Sequence, residues 1–93
     1  MGNRIYGPLR SSRDVKAINK KIRGQIRRAK TRSRIVELLK RSQYLITLTY
    51  SPSVSKGIRR HGGSVLRVRR TARREYLKTR KVALKKLRKL GRR

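Results

Sequence analysis

Tyr44-Leu45-Ile46-Thr47-Leu48-Thr49-Tyr50 lies within the longest uncharged run of the chain, Ser42 to Ser55, and the sequence outside that run is crowded with lysine and arginine. Tyrosine, isoleucine, leucine and threonine closed off by Ser51-Pro52 are the composition of a β-strand. Alternation would put Tyr44, Ile46, Leu48 and Tyr50 on one face and Leu45, Thr47 and Thr49 on the other. The first set suits packing on a helix, and the second is mild enough to face solvent or a partner. Any core is therefore expected to be built on this strand.

Downstream, Ser51-Pro52-Ser53 leads into Lys56-Gly57-Ile58-Arg59-Arg60-His61-Gly62-Gly63, which reads as a loop rich in glycine and cations. Ser64 to Arg70 alternates in part, with Leu66 and Val68 opposite Arg67 and Arg69, and reads as a second strand. Antiparallel pairing of the two makes a hairpin with the basic loop at its tip. A bare hairpin is marginal in water and needs a helix on its apolar face.

The flanks supply two helices. Ser11-Ser12-Arg13-Asp14 is a helix start, with serine caps and an acid in the first turn. Val15, Ile18, Ile22, Ile26, Ala29 and Val36 then keep to one helical face, which predicts a single long helix from Ser12 to Arg41. Gly24 is a place for it to bend, and Glu37 is spaced to pair with Arg34 and Arg41. Thr71 would cap the last helix with Glu75 in its first turn. Ala72, Tyr76, Ala83, Leu87 and Leu90 follow at helical steps, as far as Leu90. The expected fold class is α+β: an extended basic arm over residues 1–10, one small α-β-β-α domain over 11–90, and a basic tail over 91–93.

Lysine and arginine total 31 against 3 acids in 93 residues, a formal net charge of +28. Self-repulsion on that scale opposes a compact monomer unless a polyanion relieves it. There is no cysteine, which excludes a disulfide framework and a thiolate metal site. No apolar run suits a membrane span, and the N-terminus lacks the apolar core of a signal peptide. The chain reads as intracellular.

The cations form patterns. In the first helix Lys16, Lys20, Arg23, Arg27, Lys30 and Arg34 step by four, three, four, three and four, with Lys21, Arg28 and Arg32 widening the stripe. In the last helix Arg74, Lys78, Lys81, Lys85, Arg88 and Arg92 repeat the same steps. Lys56, Arg59, Arg60 and His61 crowd the loop, where glycines would let backbone amides approach phosphate. Arg67, Arg69 and Arg70 line the second strand. Arg4 and Arg10 flank Tyr6, which can stack on a base or pack back on the domain. All of these are candidate phosphate contacts. Twenty of the 31 cations are arginine, the residue suited to bidentate phosphate binding and stacking.

Catalysis is excluded by inventory. One histidine and three acids remain, and each acid has a helix-building explanation: Asp14 and Glu75 in first turns, Glu37 in a surface pair. No catalytic triad or metal-ligand cluster can be assembled, so neither a metal, a cofactor nor a small-molecule substrate is expected. The loop matches neither the P-loop nor the Rossmann fingerprint. No zinc module, helix-turn-helix, RNP motif or GXXG clamp is present.

With Arg/Lys saturation along its whole length, the arm Met1 to Arg10, the tail Lys85-Lys86-Leu87-Arg88-Lys89-Leu90-Gly91-Arg92-Arg93 and a small ordered middle, the chain resembles a small ribosomal protein of the archaeal or eukaryotic kind. The resemblance carries over no contact residues. It implies a cytoplasmic, structural role on the ribosome: bracing and neutralising ribosomal RNA beside neighbouring ribosomal proteins. Phosphate electrostatics alone would serve a DNA-coating chromatin or nucleoid protein equally, with Tyr44–Tyr50 as a dimer edge. A cationic membrane-active helix and a regulator folding on an acidic partner are the remaining alternatives.

Overall fold

The computed structural model describes residues 9–91, and they form four helices: α1 (Ser12–Arg28), α2 (Arg32–Leu48), α3 (Pro52–Arg60) and α4 (Val65–Gly91). The described residues contain no strand, so the fold is all-α, and the expected α+β class with its hairpin is overturned. The arm up to Pro8, with Arg4 and Tyr6, and the tail residues Arg92 and Arg93 lie outside the described residues.

The stretch Tyr44–Tyr50 is the last turns of α2 and the turn that follows. Its buried positions belong to the series Ile35, Leu38, Ser42, Leu45 and Thr49, which steps by three, four, three and four. Leu45 is buried while Tyr44 and Tyr50 are half exposed, the reverse of the strand alternation. Two members of the stripe are polar, so the apolar residues alone do not show the helical period. Strand propensity here yields to tertiary packing.

The start at Ser11 stands as expected. Its hydroxyl accepts from the Asp14 N–H while the Asp14 carboxylate accepts from the Ser11 N–H, a capping box. The expected single helix is two, broken at Ala29–Lys30–Thr31. Ala29 is extended (φ −68°, ψ 141°) and Thr31 caps α2 by accepting from the Arg34 N–H. Glu37 pairs with Arg34 and Arg41 as its spacing suggests.

Lys56–Gly63 is also not a loop, since Pro52 opens α3 and the helix runs to Arg60. It ends in a Schellman turn: Gly62 N–H donates to Arg59 O, Gly63 N–H to Ile58 O, and Gly62 has φ +76°. A Cβ on Gly63 would sit 3.2 Å from Ile58 O, so this glycine serves a close approach within the fold. Ser64 then accepts from Arg67 N–H and starts α4, so the second expected strand is the first turns of that helix. α4 therefore begins before Thr71 and still includes Gly91.

α1 and α2 are antiparallel across the short break, and Asn19 meets Ser42 between them. α1 and α4 run parallel: Ser12 meets Thr71 near their starts and Arg27 meets Lys86 further along both. α2 runs antiparallel to α4, with Thr49 and Tyr50 against Arg69 and Arg73. Val15, Ile22, Ile26, Ile35, Leu38, Leu45, Ile58, Val68, Ala72 and Ala83 fill the space between. Truncating one of the buried isoleucines to alanine costs about 2–5 kcal/mol. The described body measures 49 × 26 × 17 Å, thin enough that most cations reach its surface.

Candidate nucleic-acid interface

A polar layer crosses the centre of the bundle. Asn19 Oδ1 accepts from the hydroxyls of Ser42 on α2 and Thr79 on α4, while Asn19 Nδ2 donates to Val15 O. Beside it Arg23 Nη1 donates to Glu75 Oε1 (3.0 Å) and Thr79 Oγ1 (3.4 Å). Lys78 Nζ reaches Glu75 Oε2 at 3.2 Å. Burial alone would push the Glu75 carboxyl up, but Arg23 and then Lys78 outweigh it and hold it below its usual range. Glu75 is thus a buried tie between α1 and α4, not the first-turn acid the sequence suggests.

This tie fixes how the two cationic stripes meet. Because α1 and α4 are parallel and joined through Arg23–Glu75–Lys78, Lys16, Arg23 and Arg27 of the first stripe and Arg74, Lys78 and Lys85 of the second lie along the same inter-helix groove. At one end a hollow of about 640 Å³ is lined by Lys16 from α1 and by Arg67, Arg70 and Arg74 from α4, with Ser12, Ser64 and Thr71 among them. At the other end Arg27 faces Lys85, Lys86 and Lys89 around a hollow of about 370 Å³. The ends are eleven residues apart on each helix, 16 to 27 and 74 to 85, or about 16 Å at the helical rise. Two cationic ends are therefore joined by a partly neutralised middle. Lys20, Lys81 and Arg88 are exposed on the same two helices.

Other candidates lie elsewhere. Arg28, Lys30 and Arg34 line a separate notch at the α1–α2 break, where Arg34 is held by Glu37. Arg32 is exposed at the start of α2, and the Arg10 side chain is exposed ahead of α1. Lys56, Arg59, Arg60 and His61 sit on and just after α3, exposed, with His61 Nδ1 2.9 Å from Gly57 O. Arg69 is engaged within the fold: its guanidinium lies 4.1 Å from the Tyr50 ring centroid and donates to Thr49 O. Arg4 and Arg92 lie outside the described residues.

The sequence reading missed Lys86 and Lys89, which sit beside the regular stripe on α4 and enter the groove only because Arg27 comes alongside. It also missed Asn19, Ser42 and Thr79. Their signal was available in part, since Asn19 follows Ile18 on the buried side of α1 and a polar residue there needs a partner.

Among the described residues no group of three or more potential metal-ligating side chains comes together, and no helix is long and apolar enough to cross a membrane. The geometry defines a helical bundle with a two-railed cationic groove. No family model, curated protein or solved structure matches the chain.

Proposed function

We propose that the protein is a structural RNA-binding protein that braces and neutralises ribosomal RNA through lysine and arginine contacts to phosphate. One observation carries the reading: parallel packing of α1 and α4 brings Lys16, Arg23 and Arg27 of one stripe and Arg74, Lys78 and Lys85 of the other to one groove, while all three acids are used inside the fold. Asp14 caps α1, Glu37 holds Arg34 and Arg41, and Glu75 holds Arg23 and Lys78. Apart from Lys86, whose ammonium donates to Arg27 O, the cations at the two ends of the groove are left to an external anion of high charge density. A nucleic-acid backbone supplies one. With its acids engaged, the groove reads as a binding surface and not a catalytic one. The protein then works in the cytoplasm, on the ribosome. The uncharged surface around Gln43, Tyr44 and Thr47 on α2 is where neighbouring proteins of the particle would meet it.

The DNA-coating alternative loses the strand edge offered for its dimer, because Tyr44–Leu48 is helical and Thr49–Tyr50 form the turn after it. Sedimentation of native lysate through a sucrose gradient, with parallel RNase and DNase treatments, tests the choice. Co-migration with a ribosomal subunit that withstands moderate salt and is abolished by RNase is the expected result. Migration with DNase-sensitive material would overturn it.

A further inference from the structure

The two ends of the α1–α4 groove carry four cations each and differ in what accompanies them. The Arg27 end offers cations and the Val82 side chain. The Lys16 end offers cations and the Leu66 side chain, and adds hydroxyls. Ser12 Oγ accepts from the Thr71 hydroxyl at 3.1 Å, which leaves its own proton for another acceptor. Ser64 Oγ accepts from Arg67 N–H and is likewise left with its proton to donate. Both border the hollow that Lys16, Arg67, Arg70 and Arg74 line. Neither end is lined by an aromatic ring among the described residues, so these offer no platform there for stacking unpaired bases. A paired backbone fits better. Beside each phosphate of such a backbone, RNA presents a 2′-hydroxyl that DNA lacks.

We infer that the Ser12–Ser64 end of the groove selects ribose. Its two serine hydroxyls donate to 2′-oxygens of paired RNA while the surrounding cations hold the flanking phosphates. The Arg27 end holds phosphate without regard to the sugar. This rests on the nucleic-acid reading above and deepens it to a ligand class, double-stranded RNA.

The test is equilibrium binding of the full chain, at one fixed salt concentration, to three duplexes of identical sequence and about 16 base pairs: RNA, DNA, and RNA carrying 2′-fluoro groups. The last keeps A-form geometry but has a poor acceptor in place of the hydroxyl. RNA is expected to bind about five- to tenfold more tightly than DNA, with the 2′-fluoro duplex falling to the DNA level. Ser12→Ala removes one of the two hydroxyls, so it lowers RNA affinity about two- to threefold toward the DNA level and leaves DNA unchanged; Ser11 caps α1, so the helix start survives. Lys85→Ala with Lys89→Ala weakens all three duplexes alike. A 2′-fluoro duplex bound as tightly as RNA would show that shape does the selecting and would overturn the assignment. Equal, tight binding of RNA and DNA would overturn it too, with the nucleic-acid reading intact. Failure to bind any duplex at low salt would remove both. The ligand series on the unaltered chain stands even if Ser12→Ala fails to fold.

Discussion

α4 carries arginines on both flanks, and the two flanks do opposite work. Toward α2, Arg69 stacks on Tyr50 and donates to Thr49 O, and Arg73 donates to the Tyr50 hydroxyl at 2.8 Å. Toward α1, Arg67, Arg70 and Arg74 meet Lys16 across an open hollow. The residues are alike; the facing helix differs. The end of α2 presents a carbonyl, a phenol and an aromatic face, so the cations there find acceptors within the chain. At the hollow α1 presents another cation, Lys16, so Arg67, Arg70 and Arg74 do not. Cationic composition therefore does not locate a binding surface, because what stands opposite decides whether an arginine builds the fold or awaits a partner.

The tie that holds the groove-lining helices together should show the largest effect. Glu75→Ala leaves Arg23, whose side chain is 16% exposed, without its carboxylate; the expected loss is about 3 kcal/mol by chemical denaturation. Lys78→Ala should cost under about 1 kcal/mol, since Lys78 is 59% exposed and screened. The tie is also pH-dependent. The Glu75 carboxyl titrates lower folded than unfolded. Its contribution is therefore complete above the ordinary carboxylate range and is lost as pH falls through the lowered folded-state pKa. Glu75→Gln should flatten that part of the stability–pH curve. An unchanged curve would remove Glu75 as the link between α1 and α4.

Next comes a direct contest between the flanks. Arg70→Ala with Arg74→Ala should weaken binding to duplex RNA by about ten- to a hundredfold and reduce the salt slope by about 1.8. Arg69→Ala with Arg73→Ala should leave the slope in place and instead lower stability by about 1 kcal/mol. Equal losses of affinity from both pairs would erase the distinction between a bonded and an open flank.

Much of that distinction was invisible in the sequence, for reasons particular residues make plain. The four-three stepping of Lys16 to Arg27 and of Arg74 to Arg88 was legible, because it depends only on helical period. So were the capping acid Asp14 and the Arg34–Glu37–Arg41 set, which are local. That the stripes share one groove depends on α1 and α4 being parallel, and no local signal encodes that. α2 was hidden because Ser42 and Thr49 occupy buried positions of its stripe, leaving tyrosine, isoleucine and threonine to imitate a strand. The break at Ala29–Thr31 contains neither glycine nor proline, and its only marker is Thr31 as a cap.

Gly62 separates a structural role from a phosphate-binding one. Its φ of +76° is left-handed, so Gly62→Ala should cost about 1 kcal/mol of stability. RNA affinity, measured where both proteins are fully folded, should stay within about twofold, because a difference smaller than that is under 0.5 kcal/mol. A larger loss would restore the glycine-rich segment as a site of close phosphate approach and would move the interface toward α3.

Tyr50→Phe should have the smallest effect and sharpen the comparison most. It deletes the hydroxyl that accepts from Arg73 while keeping the ring under Arg69. The pair is exposed, so stability should fall by only about 0.5 kcal/mol. If engagement within the chain is what withholds an arginine from RNA, Arg73 is now available, and affinity should rise slightly with a steeper salt dependence. Tyr50→Leu also removes the ring but leaves Arg69 its bond to Thr49 O, so it should free Arg69 only in part and extend the same trend slightly. A fall in affinity for both variants would mean that Tyr50 itself contacts the ligand, and that the flank facing α2 belongs to the interface after all.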